Sequence, residues 1–186
     1  MADVFDVADF FIELFGQEIE SDITNLKLNK LLYFAQGHCL AVTGKPLFND
    51  FFEAWEWGPV VPAVYHKYKM CGKNPVEPSG RNVRNLLTPE EFDVLLDVAG
   101  EFGKYTALHL VQKTHKPRTP WAQTEKQKVI NNDVIAAYFT GEGKIETFSE
   151  MLKRKNFQPI GYMDDEGVLV LPADEYCVED DYWDDY

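Results

Sequence analysis

The residues that could carry chemistry in this 186-residue chain are few and scattered. Four histidines, His38, His66, His109 and His115, lie far apart and follow no HExxH spacing, and the cysteines form no CxxC pair. A metal site needs such ligands clustered at helical or knuckle spacing. The sequence therefore predicts no metal site.

Motifs for a nucleophile or a phosphate are also missing. Residues 141–144 (GEGK) resemble part of a phosphate-binding loop, but they lack its spacing and its preceding strand. Cys39 beside a histidine would form a nucleophilic pair. However, Cys39 falls on the apolar stripe of a predicted helix, where cysteine usually acts as a small hydrophobic residue. We therefore predict a protein that is not an enzyme and uses no cofactor, and catalysis stays the last alternative.

Composition and charge narrow the class of protein further. The chain is 45% hydrophobic and 14% aromatic, which excludes a largely disordered protein. It contains 31 acidic and 18 basic residues, a net charge of −13, and residues 1–20 and 161–186 contain no Lys or Arg. The body is therefore close to neutral between two acidic ends. Because nucleic-acid phosphates require a dense basic surface, we expect no autonomous nucleic-acid binding.

The ends and the cysteines also predict the compartment. The first residues are acidic where a targeting signal would be basic. The longest apolar runs, such as residues 8–14, are too short to span a bilayer. Three widely spaced cysteines do not indicate a disulfide framework. We expect a soluble cytoplasmic protein with no membrane partner.

The elements that must position any functional surface are predicted to be mainly helices. Apolar residues at helical spacing predict a helix from Val4 and a longer one that Thr24 caps and Gly44 ends. Further helices are predicted to begin at Pro62, at Thr88, at Thr106, at Asn132 or Asp133, and near Ile145. The buried face of the helix after Thr88 is predicted to contain Phe92, Leu95, Leu96, Ala99 and Phe102.

Two short β elements complete the predicted fold. Residues 51–57 (FFEAWEW) predict a strand that turns sharply, and residues 160–170 predict a small hairpin. The helices beginning near Thr24 and Pro62 are too far apart for a helix-turn-helix, which uses a turn of about three or four residues. The predicted fold class is mainly α: a compact multi-helix domain with a minor β element, a small C-terminal hairpin and an acidic tail.

Three neighbouring stretches are specific in combination. They are residues 24–36 (TNLKLNKLLYFAQ), 44–48 (GKPLF) and 52–65 (FEAWEWGPVVPAVY). Together they closely resemble the Panacea antitoxin domain family, also described as SocA-like or GepA-like phage-associated proteins. Shorter matches follow at residues 96–97 (LD), Tyr105, Leu110, residues 114–115 (TH) and residues 120–121 (PW). The resemblance covers about residues 4–155.

The resemblance implies an antitoxin of a type II toxin–antitoxin pair, which neutralises its toxin by direct protein contact. The implied partner is a cognate toxin encoded by an adjacent gene. Two alternatives stay open: an adaptor that delivers the toxin to a protease, and a phage-borne protein that binds a host enzyme. We divide the chain into a Panacea-like domain, residues 1–156, and a C-terminal extension, residues 157–186.

Candidate partner-binding residues lie in the recognised stretches and in the tail. Tyr33 and Gln36 are expected to face solvent, although either could be purely structural. The remaining candidates of the domain are Trp57, Gly58, Pro59, Val60 and Tyr65. The Gly-Pro step also has a structural explanation, because Gly permits the turn and Pro starts the next helix. His115 and Trp121 are predicted to form a packed corner.

The tail, residues 174–186, combines seven carboxylates with four aromatic residues, among them Tyr182 and Trp183. One interpretation is a solvated end that keeps the protein in solution. The other is a segment that occupies a basic, nucleotide-binding groove of a toxin. Its rings would stack where bases normally do, and its carboxylates would replace phosphates.

Overall fold

The computed structural model describes residues 1–16, 23–154, 162–163 and 169–170. The chain divides into two compact units, Met1–Thr147 and Phe148–Tyr186, which we describe separately. The predicted domain boundary between residues 156 and 157 lies outside the described residues and stays a prediction.

The described part of the first unit contains seven α-helices and three short strands. The helices are α1 (Val4–Gly16), α2 (Asn25–Thr43), α3 (Pro62–Tyr68), α4 (Pro89–Phe102), α5 (Ala107–Thr114), α6 (Pro120–Gln123) and α7 (Asn132–Thr140). The strands are β1 (Phe52–Trp55), β2 (Gly58–Val60) and β3 (Val129–Ile130). Single 3₁₀ turns occur at Lys69–Cys71 and Arg84–Leu86. None of the described helices is both long and apolar enough to cross a membrane.

The second unit contains helix α8 (Phe148–Arg154) and strands β4 (Tyr162–Met163) and β5 (Leu169–Val170). The two strands pair antiparallel, with Tyr162 opposite Val170. The mainly helical fold class and the small C-terminal hairpin are therefore confirmed.

Helix α2 lies at the centre of the first unit, with α1, α4, α5 and α7 packed around it. Its predicted ends are confirmed: Thr24 Oγ1 accepts the N–H of Lys27 at 3.3 Å, and Gly44 ends the helix with a φ of 71°. Every residue from 27 to 40 is buried. Because neighbours cover all its sides, α2 lacks the polar face of an ordinary surface helix.

Aromatic rings fill the space between α2 and its neighbours. The Tyr33 ring lies 5.5 Å from the Phe52 ring of β1 and 5.6 Å from the Phe139 ring of α7. Phe34 stacks on Phe102 of α4 at 4.0 Å. Offset and edge-on ring pairs of this kind stabilise a core beyond the area that they bury. The core thus joins α2, α4, α7 and the sheet.

The sheet has the order β2-β1-β3, and both pairs are antiparallel. Glu53 of β1 lies opposite Val60 on one side and Val129 on the other. Phe52 and Ala54 point into the core, while Glu53 and Trp55 lie on the more exposed face. The predicted sharp turn after Trp55 is confirmed, because β1 and β2 form a tight hairpin.

The buried face of α4 is rotated about the helix axis relative to the predicted face. Leu96 was expected in the core but is 43% exposed, whereas Val94 and Val98 are buried. The buried positions of α4 begin at Glu91, whose side chain bonds the N–H of Thr88 in the predicted capping box. Counting in steps of three and four from Glu91 places Leu96 on the solvent side.

The predicted start of α7 at Asn132 is confirmed, whereas the predicted start of the last helix is wrong by a short distance. Asn131 caps α7, since its side chain accepts the N–H of Asp133 at 2.7 Å. The cap lies directly before Asn132, the first of the two predicted starting residues, where α7 begins. Ile145 was expected within the last helix, but it is a buried core residue of the first unit, and α8 begins at Phe148.

Candidate protein-interaction surface

The hairpin and the start of α3 are held by polar side chains of α2. Asn29 Oδ1 accepts the N–H of Val61 at 2.9 Å, and its Nδ2 donates to the carbonyl of Asn25 at 3.0 Å. Asn25 Nδ2 in turn donates to the carbonyl of Tyr65 at 3.1 Å. Buried polar groups are tolerated when they are hydrogen-bonded in this way. Helix α2 therefore fixes where α3 begins.

A buried lysine holds strand β2. Lys30 is fully buried, and its Nζ donates to the carbonyl of Pro59 at 2.7 Å. Burial lowers the pKa of Lys30 to about 7, because a low-dielectric interior penalises the charged form. Gly58 passes directly over this side chain with a φ of 102°. A Cβ at position 58 would lie 2.8 Å from both Lys30 Cε and Thr114 Oγ1, so only glycine fits.

Tyr33 and Gln36 do not face solvent, and that expectation is wrong. Both side chains are fully buried, because α2 is surrounded on all sides. Gln36 Oε1 accepts the N–H of Leu47 at 3.0 Å and of Phe48 at 3.3 Å, and its Nε2 donates to the Phe48 carbonyl. Burial raises the pKa of Tyr33, so its hydroxyl stays protonated. Gln36 thus ties the loop after α2 to the helix.

Two of the predicted partner-binding residues are exposed beside the hairpin. Trp57 is 55% exposed and Tyr65 is 36% exposed, whereas Gly58, Pro59 and Val60 are buried. The Trp55 ring lies 4.8 Å from the Tyr65 ring and 6.4 Å from the His66 ring. We call Trp55, Trp57, Tyr65 and His66 the hairpin surface.

The turn end of the hairpin is anchored by the predicted corner. Trp121 Nε1 donates to the carbonyl of Trp55 at 2.8 Å, and the His115 ring lies 3.7 Å from the Trp121 ring. The Trp121 ring has a second contact: Lys126 Nζ lies 4.0 Å from its centre. Burial lowers the pKa of His115, and the charge of Lys126 adds to this effect. The packed corner is therefore confirmed, and it makes the hairpin a rigid support.

Nothing in the geometry of Cys39 favours nucleophilic chemistry. Its thiol is buried, and its Sγ lies 3.6 Å from the hydroxyl of Thr43. Burial raises the pKa of the Cys39 thiol, which disfavours the reactive thiolate. No group of three or more His, Cys, Asp or Glu in the described ranges could hold a metal ion. Tyr182 and Trp183 lie outside the described residues.

Sequence comparison assigns the part of the chain that builds this surface. The model of the family described as "Antitoxin SocA-like, Panacea domain" matches residues 28–122. The chain belongs to this family. The matched residues of the Panacea domain begin within α2 and end within α6, so they include both the hairpin surface and the corner beneath it.

One curated relative supports the same assignment. "Antitoxin SocA" of Caulobacter vibrioides (strain NA1000 / CB15N) is 35% identical over 115 residues, which cover 55% of this chain and 60% of that protein. The matched part therefore spans about three fifths of the relative's length. No solved structure matches the chain.

The sequence analysis missed the buried cations of the Panacea domain. Lys27 Nζ donates to the carbonyl of Gly103, at the end of α4, at 2.8 Å, and Lys30 holds Pro59. Lysines three residues apart within an apolar helix normally indicate a solvent-facing side. The missing signal was that apolar residues occupy every side of α2, which leaves no face for solvent.

Proposed function

We propose that this chain is the antitoxin of a type II toxin–antitoxin pair and neutralises its toxin by direct contact through the hairpin surface. Membership of the Panacea domain family and the similarity to Antitoxin SocA support the antitoxin role. The observation that carries the contact surface is the exposure of Trp57 and Tyr65 on an anchored hairpin. The partner would be a toxin encoded nearby and met in the cytoplasm.

Physical reasons favour the hairpin as a binding element. Trp and Tyr are enriched among the residues that dominate protein interfaces, where removing one costs about 2 kcal/mol or more. Their support is already ordered by Trp121, Asn29 and Lys30 before a partner arrives. A preordered surface loses less conformational entropy on binding. Neutralisation would then follow from covering the toxin's active site, with no catalytic step by this chain.

The test is growth rescue with a surface variant. Cells that express the adjacent toxin are complemented with the natural chain or with a Trp57→Ala/Tyr65→Ala variant. We expect the natural chain to restore growth and the double variant to fail, with toxin affinity reduced at least 30-fold, the equivalent of about 2 kcal/mol.

A matched control separates contact from folding. Leu86→Ala removes an apolar side chain of similar exposure outside the hairpin surface, and it is expected to rescue growth normally. Thermal melting of all three proteins should agree within a few degrees. Full rescue and unchanged affinity in the double variant would refute the hairpin surface, and a harmless neighbouring protein would refute the toxin partnership.

The same cells distinguish occlusion from the adaptor alternative. Occlusion predicts that toxin stays abundant while growth recovers, since the bound toxin is inactive but intact. An adaptor predicts that the half-life of the toxin falls when this chain is present and the protease is active. Pulse-chase measurement of the toxin decides between them.

A further inference from the structure

Helix α4 carries negative charge that its own residues do not compensate. Residues 85–103 contain five carboxylates and no Lys, Arg or His. Two of the five have partners, because Glu91 is held in the capping box and Asp97 bonds a buried histidine of α2 at 3.0 Å. Glu90 and Asp93 are exposed, and in the described part of the chain neither forms an ion pair.

An exposed leucine and a glycine share the side of the helix on which these two carboxylates lie. With 3.6 residues per turn, Asp93 and Gly100 lie about two turns apart on nearly the same line along α4, and Leu96 lies beside that line. Leu96 is 43% exposed, and Gly100 is exposed as well. We call Glu90, Asp93, Leu96 and Gly100 the α4 face.

The packing of the chain gives no reason for a glycine at position 100. Each of the other glycines that the structure describes has a positive φ or a neighbouring atom within 4 Å of the place where a Cβ would lie. Gly100 has neither, since nothing outside its own helix lies within 4 Å of that place. Glycine weakens a helix relative to alanine. The bare backbone at Gly100 is therefore a cost that would be offset by close approach of another molecule.

We propose that the α4 face docks a basic helix of a partner protein, which crosses α4 at Gly100. Side chains of one helix pack into the grooves of another, and the missing side chain at Gly100 widens such a groove next to Leu96. An apolar residue of the partner fills this space, and flanking Lys or Arg residues pair with Glu90 and Asp93. The α4 face shares no residue with the hairpin surface and does not depend on the proposed toxin contact.

The sign of the charge selects this occupant over others. Phosphates of nucleic acids and of anionic lipids would be repelled by Glu90 and Asp93. A second copy of this chain would present the same negative face, and like charges across an interface disfavour association. No group of three or more His, Cys, Asp or Glu in the described ranges could hold a metal ion, so a bound cation does not explain the face either.

The test uses the full chain and a fluorescent synthetic helix that carries one Leu flanked by Lys and Arg in an alanine background. We expect saturable binding that weakens as salt is raised. Gly100→Gln should weaken it about tenfold or more, because the added side chain blocks the approach. Glutamine is a better helix former than glycine, so this variant should melt at an equal or higher temperature. Its loss of binding would then not be a loss of folding.

The charges are tested by neutral variants of the same shape. Glu90→Gln/Asp93→Asn should weaken binding about fivefold at low salt and little at high salt, as expected for exposed ion pairs. Glu77→Gln/Glu125→Gln changes the net charge equally at exposed positions outside the α4 face and should bind normally.

A matched control also exists for the added side chain. Ala137→Gln places the same side chain at an exposed position of α7 and should bind normally. Unchanged binding in Gly100→Gln, equal loss in the two charge-neutral pairs, or no saturable binding would overturn the proposal. Dimerisation of the natural chain that Gly100→Gln abolishes would assign the face to a second copy and would overturn it as well.

Discussion

Two buried lysines connect α2 to distant parts of the chain. Lys27 Nζ donates to the carbonyl of Gly103 and Lys30 Nζ to that of Pro59. A cation at the last carbonyl of α4 is favourable, because that end of a helix carries partial negative charge. Lys30 contacts no helix end. Its single neutral carbonyl partner offsets little of the free energy that is needed to take the ammonium group out of water. The two side chains therefore hold the fold at different electrostatic cost.

The pKa of Lys30 makes a testable contribution to stability. In the folded chain this pKa is about 7, against about 10.4 for an unperturbed lysine. Between these values the unfolded state binds more protons, so the free energy of unfolding rises with pH. Compared with Lys30→Met, the natural chain should gain up to about 1.4 kcal/mol per pH unit from pH 7 towards 10.

Urea denaturation of both proteins at pH 7, 8 and 9 measures this difference. Subtracting the free energy of unfolding of Lys30→Met from that of the natural chain cancels the contributions of the other groups that titrate at alkaline pH, because both proteins contain them. A constant difference between the natural chain and Lys30→Met would mean that Lys30 stays charged in the folded state.

Most helix boundaries could be predicted because their signals are local. Thr24, Thr88 and Thr106 each bond the backbone N–H three residues later, as a capping residue does wherever the helix packs. The orientation of Tyr33 and Gln36 could not be predicted, because it depends on what surrounds α2. Exposure of a side chain is a tertiary property, and a single helical pattern does not determine it.

In the candidate site, too, the local features could be predicted from the sequence and the long-range contacts could not. The sharp turn at Gly58 and the corner of His115 with Trp121 follow from residue types at short range. The link from Lys30 to Pro59 joins residues 29 positions apart in the chain. Its only trace in the sequence is a lysine within a helix that has apolar residues on every side. Long-range polar contacts of this kind need the folded chain.

Strand β3 is preceded by a turn whose residue type does not suit its backbone. In residues 125–128 the N–H of Lys128 donates to the carbonyl of Glu125, and Gln127 has a φ of 60°. Positive φ at the third turn residue favours glycine. A side chain there costs about 1–2 kcal/mol, partly offset by the flexibility that glycine adds to the unfolded chain.

Gln127→Gly should therefore raise the free energy of unfolding by up to about 1 kcal/mol. Its side chain is exposed and forms no hydrogen bond in the described part, so no contact is lost. Glu125→Gly in the same turn, at negative φ, should be neutral or destabilising. Chemical denaturation of both variants tests this, and equal destabilisation would show that position 127 stores no strain.

Charge is segregated across the molecule by element. Helices α1 and α4 contain acidic residues and no Lys or Arg, whereas residues 102–124 contain Lys and Arg and no Asp or Glu. The rings of Phe10 and Phe92 join α1 to α4, so the two acidic helices are neighbours. A protein with separated charge orients its partners before contact, which raises association rates.

The acidic tail allows the two interpretations of residues 174–186 to be separated. If the tail only attracts a basic toxin, deleting it should slow association by about tenfold or more at low salt, and the deficit should vanish at high salt. The dissociation rate would not change, because no contact in the complex is lost. If the tail occupies a groove on the toxin, the dissociation rate should rise as well, at any salt concentration.

Replacing only Tyr182 and Trp183 by Ser keeps every carboxylate and isolates the stacking contribution. Stopped-flow association and dissociation with the purified toxin give both rate constants. Unchanged rates in the deletion would leave the tail as a solvated end.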